Sequence, residues 1–202
     1  DAEDFFKLTL KASVNSVIVN RNAGADIILM LDMSKSMTDQ RVTALKTAVN
    51  NFISEVNRRS PESRIAIVRY SSASTVLSGT GNAEDGALVT VNDDGKTNLT
   101  GIVNALSTDN NGSYCDLAMF DALKIFQSAN FNEDTDSLGQ EYRNRTRVAI
   151  LFTAGLPGEG EGESGENTEL TGWRKSARNS AQAAMSISSI IKGTRFGKVP
   201  TV

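Results

Sequence analysis

The 202-residue sequence contains no histidine and a single cysteine, Cys115. Without histidine, the chain cannot form Ser-His-Asp or Cys-His catalytic arrangements, and the usual zinc sites are excluded with them. A lone cysteine also excludes an internal disulfide, which fits a cytosolic protein and equally fits the bacterial surface proteins that avoid disulfides. Catalysis by carboxylates or lysine has no positive support in the sequence, so we expect a protein that is not an enzyme.

Long hydrophobic runs and a strong net charge are missing as well. No apolar stretch approaches the ~20 residues that span a bilayer, so we expect the chain as given to be soluble, without membrane insertion. The formal net charge is -3 and the sequence pI is about 5.1. The composition therefore gives no sign of the excess positive charge with which proteins bind nucleic acids. The length and the 39% content of hydrophobic residues are typical of one globular α/β domain.

The most informative stretch begins with a short apolar run, Ile27 to Leu31, and continues as Asp32-Met33-Ser34-Lys35-Ser36. The apolar run predicts a strand that is buried on both faces of a parallel sheet. The next segment predicts an amphipathic helix, which Thr38 or Asp39 would cap and Ser60-Pro61 would end. The apolar positions at helical spacing are Val42, Leu45, Val49, Phe52, Ile53 and Val56.

Asp32, Ser34 and Ser36 therefore stand where a central strand runs into a loop before a helix. Open α/β sheets bind their ligands at the carboxyl ends of the strands. One carboxylate and two hydroxyls, without histidine or thiolate, suit a hard cation such as Mg2+, which prefers oxygen ligands. The alternative is that these residues form only a turn and a helix N-cap, a position where Asp and Ser are preferred.

Patterning along the rest of the chain predicts alternating strands and helices. We expect strands over residues 64–70, 75–77, 87–91 and 147–153, and helices over about 99–106, 115–128 and 173–191. The strand over 147–153 is an apolar run and is predicted to be buried. Alternation over residues 6–12, together with the apolar residues 17–19, predicts a strand-like lead-in, and residues 198–202 predict a further strand. Residues 130–144 and the glycine- and glutamate-rich residues 158–165 predict surface loops.

The pattern Asp32-x-Ser34-x-Ser36, between an apolar strand and an amphipathic helix, resembles the metal-ion-dependent adhesion site of von Willebrand factor A domains, which are also called integrin I-like domains. The resemblance extends over residues 25–202 and leaves residues 1–24 as a strand-like lead-in or edge strands. It implies a three-layer, Rossmann-like α/β fold with a mostly parallel central sheet, one short antiparallel edge strand and helices on both faces. Family elements that would follow the last predicted strand have no counterpart in the sequence, so the resemblance implies a truncated C-terminus.

The resemblance also implies a second loop, just before a helix, whose threonine joins the cation. Ser113 stands at the matching position and offers the same hydroxyl, while Thr97 has similar local surroundings and remains the alternative. We favour Ser113 because the longer amphipathic helix follows it, although a plain N-cap is the simpler interpretation of either residue. The implied metal ligands are Asp32, Ser34, Ser36 and Ser113, with Mg2+ as the cation and Mn2+ or Ca2+ as alternatives.

The sequence departs from the family at Thr153-Ala154-Gly155, where members usually have Thr-Asp-Gly and the aspartate faces the cation. A missing carboxylate weakens a hard-cation site, because ligand charge is a main determinant of affinity. Ala154 is explained either by a deliberate knockout of the site or by natural drift in a domain that binds metal weakly or not at all. Asp116 or Glu159 could supply a replacement carboxylate.

The resemblance implies an adhesion module that binds a host or matrix protein through an acidic side chain of that protein, which completes the coordination of the cation. The strand-like lead-in, the lack of disulfides and the acidic balance are similar to those of Gram-positive surface and pilus-tip adhesins. We therefore expect an extracellular location, at the cell surface or attached to the cell wall. Two alternatives remain open: a structural or assembly domain of the same fold with a non-functional metal site, and an intracellular A-domain subunit of a chelatase or chaperone-type complex.

Overall fold

The structure, a computed structural model, describes residues 24–82, 86–109, 112–128, 145–153 and 180–193. These ranges contain five strands and four helices, interspersed along the chain as in an α/β fold. The strands are β1 (Ala25–Asp32), β2 (Arg64–Tyr70), β3 (Ser74–Val76), β4 (Val89–Thr90) and β5 (Thr146–Phe152). The helices are α1 (Asp39–Arg59), α2 (Asp93–Ala105), α3 (Cys115–Ser128) and α4 (Ser180–Gly193).

The strands form one sheet in the order β3-β2-β1-β5, with β4 also paired to β2. The central strand β1 is parallel to both of its neighbours, so that Asp26 is in register with Arg64 on β2 and with Arg147 on β5. Both β3 and β4 run antiparallel to β2, β4 beside its beginning and β3 beside its end. The predicted fold class is confirmed, with the difference that two short strands share the antiparallel edge.

The side chains of β1 alternate between two apolar layers, because helices cover both faces of the sheet. Ile27, Leu29 and Leu31 pack with residues of α1 and α2. Ile28 and Met30 pack on the other face with residues of α3 and α4. Burial on both faces explains why this strand is a nearly continuous apolar run. The result is the three-layer arrangement that the family resemblance implies.

The strand β5 is only partly buried, so the prediction of a buried strand is wrong here. Val148 is 37% exposed, and Ala149 is exposed as well. Within the part of the chain that the structure describes, β5 pairs with β1 alone and lies at the edge of the sheet. An apolar run does not distinguish an edge strand from a central one, because that difference depends on which strands flank it.

The ends of the helices follow from polar capping residues. The helix α1 begins after Thr38, whose side chain accepts a hydrogen bond from the backbone N–H of Arg41, and it ends before Ser60, as predicted. The helix α2 begins well before the predicted start near residue 99, because Asn92 caps it by accepting a hydrogen bond from the N–H of Gly95 at 2.8 Å. The first turns of α2 are polar, so apolar spacing does not mark them.

Several predictions fall on residues outside the described ranges. They concern the lead-in over 1–23, the loops over 130–144 and 158–165, the helix start at Trp173, and the strand over 198–202. The division of the chain into a lead-in and one domain therefore stays a prediction. Among the described residues, no helix combines the length and the apolar character that crossing a bilayer requires.

Candidate functional site

Asp32 is the last residue of β1, the strand that lies between β2 and β5. Its carboxylate is fully buried, and Oδ1 accepts a hydrogen bond from the backbone N–H of Ser34 at 2.9 Å. This bond holds the carboxylate over the start of residues 33–38, which we call the first loop. Because burial of a lone charge is costly, an ionised carboxylate in this position is stabilised by hydrogen-bond donors or by a cation.

The first loop carries two hydroxyl groups, on Ser34 and Ser36, directly after this carboxylate in the chain. Ser34 is 2% exposed, and the hydroxyl oxygens of Ser34 and Ser36 lie 2.9 Å apart, within hydrogen-bonding distance. The backbone N–H of Met33 donates to the carbonyl of Tyr70 at 2.8 Å, and the N–H of Met37 donates to the carbonyl of Ser34 at 2.9 Å. The loop therefore holds its oxygen atoms on a fixed backbone directly before α1.

Ser113 lies in a second loop, which leads into α3. It is 7% exposed, and its hydroxyl donates a hydrogen bond to Oδ2 of Asp32 at 3.2 Å. Thr97, the alternative residue, lies on the exposed surface of α2, where its hydroxyl donates to the carbonyl of Asp93 at 2.9 Å. The structure therefore brings Ser113 to Asp32 and leaves Thr97 on the surface of another helix.

A further hydroxyl at this site, which was not predicted from the sequence, belongs to Thr153, the residue that begins a third loop after β5. This hydroxyl donates to Oδ2 of Asp32 at 3.2 Å. Parallel pairing of Leu31 with Phe152 aligns the ends of β1 and β5, so the residue after β5 lies beside Asp32. The position of Thr153 at the end of a predicted strand could have indicated this contact. When two neighbouring parallel strands end at the same level, the residues that follow them lie side by side.

Asp109 is a second residue that the sequence analysis missed. Its backbone N–H donates to the carbonyl of Met33 at 3.1 Å. Its carboxylate accepts a hydrogen bond from the guanidinium of Arg69 at 2.8 Å and another from the hydroxyl of Ser71. Asp109 therefore ties the end of β2 to the first loop, just before the second loop begins. Its contacts link segments that are remote in sequence, and no local pattern marks them.

Of the two carboxylates that could replace the missing aspartate, the structure describes one. Asp116 lies fully buried in the first turn of α3, whereas Glu159 and also Ala154 lie outside the described residues. Among the side chains that the structure describes, no three or more histidine, cysteine, aspartate or glutamate residues form a group that could hold a metal ion. The structure gathers a different set, in which the Asp32 carboxylate accepts hydrogen bonds from the neutral hydroxyls of Ser113 and Thr153.

Tyr70 lies next to Asp32, its partner in the β1–β2 register, and is fully buried. Burial raises the pKa of the Tyr70 hydroxyl above its ordinary value, and the negative charge of Asp32 raises this pKa further. The hydroxyl therefore stays protonated at neutral pH, and it donates to the carbonyl of Phe152 at 3.0 Å. Carboxylate and hydroxyl oxygens in this arrangement are suited to coordinating a hard cation.

Comparison with known proteins gives one family and a group of similar folds. The model of the von Willebrand factor type A domain family matches residues 27–156. Among solved structures, a von Willebrand factor type A protein from Catenulispora acidiphila is 20% identical over 84% of this chain and 31% of its own, with a TM-score of 0.56. No curated protein matches the chain at a significant level.

Two further solved structures are similar at lower TM-scores. The von Willebrand factor domain of the type V pili tip protein Mfa5 from Porphyromonas gingivalis is 19% identical over 67% of this chain and 39% of its own, with a TM-score of 0.49. The pilus adhesin SpaC from Lactobacillus rhamnosus GG is 19% identical over 66% of this chain and 16% of its own, with a TM-score of 0.49. The chain spans less than half the length of each of these three structures.

Proposed function

The chain belongs to the von Willebrand factor type A domain family, and on this premise we propose that it is a non-enzymatic adhesion module. In this proposal Asp32, Ser34, Ser36 and Ser113 hold a divalent cation, and an acidic side chain of a partner protein completes its coordination. The observation that carries the proposal is the meeting of hydroxyls from the second and third loops at Oδ2 of Asp32. This point lies at the carboxyl end of the central strand, the edge at which open α/β sheets bind ligands.

The donor atoms fit a hard cation. Each of them is an oxygen, from one carboxylate and from serine or threonine hydroxyls, and Thr153 adds a hydroxyl to the set that the sequence predicts. Mg2+ accepts such ligands and keeps some of its waters, while Mn2+ and Ca2+ also bind oxygen sites. When bound, the cation supplies the positive charge that attracts a carboxylate.

The charge of the donor set supports an acidic partner. Asp32 supplies the negative charge, whereas Ser34, Ser36, Ser113 and Thr153 are neutral, so a divalent cation in this set keeps a net positive charge. A low ligand charge weakens the affinity for the cation alone. An anionic side chain offsets that weakness, and by linkage the cation and the acidic side chain raise each other's affinity by the same factor. A partner protein of the host or of the matrix, met at the cell surface, fits this chemistry.

The proposal predicts that a carboxylate ligand strengthens cation binding. A short peptide with one glutamate should raise the apparent Mn2+ affinity of the chain, measured by calorimetry, and its glutamine counterpart should not, because the amide carries no charge. Reciprocally, Mn2+ should raise the affinity for the glutamate peptide by the same factor. Equal effects of the two peptides would contradict an acidic partner.

Two hydroxyl variants provide the matched comparison for that experiment. Ser113→Ala should lower the Mn2+ affinity by about tenfold, because it removes a proposed ligand; groups around metal sites contribute effects of this order. Thr97→Val should leave the affinity unchanged, because its hydroxyl bonds within α2. If Thr97→Val lost affinity and Ser113→Ala kept it, the ligand set would be wrong.

A structural or assembly domain with a non-functional metal site is the second candidate. Ala154 favours it, since this residue replaces the aspartate that the family usually has at that position. A domain of this kind would bind its partner equally well in Mg2+ and in a chelator. Chelator sensitivity of partner binding therefore separates the two candidates.

A further inference from the structure

The Tyr70 hydroxyl lies close to the proposed cation site, and the role that we assign to it rests on that site. We propose that this hydroxyl is a positioning group, which sets the first and third loops at the distance that lets their oxygen atoms share one cation. Tyr70 would not contact the cation or the partner. It would act through the loop backbone and through the hydroxyls that meet at Asp32.

Tyr70 connects the two strands that flank β1. Its backbone carbonyl, at the end of β2, accepts the N–H of Met33 in the first loop at 2.8 Å. Its hydroxyl donates to the carbonyl of Phe152, at the end of β5, at 3.0 Å. Because β1 lies between β2 and β5, the side chain extends across the end of β1, beside Asp32. One residue thus holds the beginning of the first loop and the beginning of the third.

The Tyr70 hydroxyl also has the proposed ligand groups as neighbours. The side chains of Thr153 and Ser113 lie close enough to influence the pKa of this hydroxyl, and both of these side chains donate to Oδ2 of Asp32. The hydroxyl therefore lies beside the two side chains that bind the carboxylate of Asp32 and bonds to the residue that precedes Thr153. A ring without the hydroxyl would fill the same volume in the core and would leave the carbonyl of Phe152 without this donor.

Tyr70→Phe tests the inference, because phenylalanine keeps the ring and removes the hydroxyl. We expect the Mn2+ affinity of the chain, measured by calorimetry, to fall by about tenfold, as for other groups that orient metal ligands. Ser78→Ala is the matched control. Ser78 is also fully buried, and its hydroxyl accepts the N–H of Ile67 at 2.8 Å and donates to the carbonyl of Ala87 at 2.7 Å. This control should lower the melting temperature and leave the affinity unchanged.

A second measurement, on the metal-free chain, tests whether Tyr70 holds the loops even when no cation is bound. Amide NMR spectra of the metal-free chain should show changed signals and faster hydrogen exchange at Met33, Ser113 and Thr153 in Tyr70→Phe, with Ile67 unchanged. If the unsubstituted chain bound no Mn2+ and these amides still changed, the cation site would fail, and the part of the inference that would stand is that Tyr70 sets the first and third loops relative to each other. If the amides stayed as they are, or if Tyr70→Phe bound Mn2+ with unchanged affinity, the inference would be overturned.

Discussion

Asp32→Asn should lower the affinity for Mg2+ and Mn2+ by about a hundredfold or more, while the chain keeps its fold. The substitution removes the negative charge of the donor set, and ligand charge is a main determinant of affinity at hard-cation sites. Asparagine has the shape of aspartate, and its carbonyl oxygen can still accept the backbone N–H of Ser34. Calorimetric titration gives the affinity, and the amide spectrum of the metal-free variant reports the fold.

Asp93→Asn is the control for this substitution, because it makes the same chemical change elsewhere. Asp93 begins α2 and accepts a hydrogen bond from Asn57 at 3.3 Å on the protein surface. The affinity of Asp93→Asn should equal that of the unsubstituted chain. If Asp32→Asn bound cations as tightly as Asp93→Asn, Asp32 would not be a ligand.

Asp26→Asn should cost about 3–5 kcal/mol of unfolding free energy, the range for removing one member of a buried ion pair. Asp26 is fully buried at the beginning of β1. Arg64 binds its two carboxylate oxygens at 2.8 and 2.7 Å, and the Nε of Arg145 donates to the same carboxylate at 3.1 Å. Without the carboxylate charge, two buried guanidinium groups lose a shared counter-ion. Urea-induced unfolding at neutral pH measures the difference.

Glu55→Gln is the matched control for the buried ion pair. Glu55 also faces two arginines, Arg58 and Arg59, with which it forms ion pairs on the surface of α1. Exposed ion pairs contribute little to stability because water and salt screen them. Glu55→Gln should therefore leave the urea midpoint almost unchanged. A comparable loss of stability in the two variants would show that burial does not decide the effect at Asp26.

The elements that the sequence predicts well are those with an apolar face. The buried strand β1, the strand β2 and the helix α3 have bounds close to the predicted ones, because each carries a periodic or continuous apolar pattern. The first turns of α2 were missed because they are polar and depend on the Asn92 cap. The exposure of β5 was missed because it depends on neighbouring strands and not on its own composition.

The same distinction applies to the candidate site. Asp32, Ser34 and Ser36 belong to one short segment, so their common position could be predicted from the strand, loop and helix around them. Thr153 and Asp109 contact the first loop or Asp32 from segments that are remote in sequence. Their contacts follow from the strand order and from the lengths of the strands, which local patterns do not specify.

Titration with Mg2+ by calorimetry, on this chain and on Ala154→Asp, tests the central claim most directly. If Asp32 and the surrounding hydroxyls hold the cation as proposed, the unsubstituted chain should bind it, and Ala154→Asp should bind it more tightly because it adds a negative charge. A cation at a hundredfold its dissociation constant should stabilise each chain by about 2.7 kcal/mol, which melting curves detect. Binding by Ala154→Asp alone would identify a disabled site, and binding by neither chain would contradict the metal site itself.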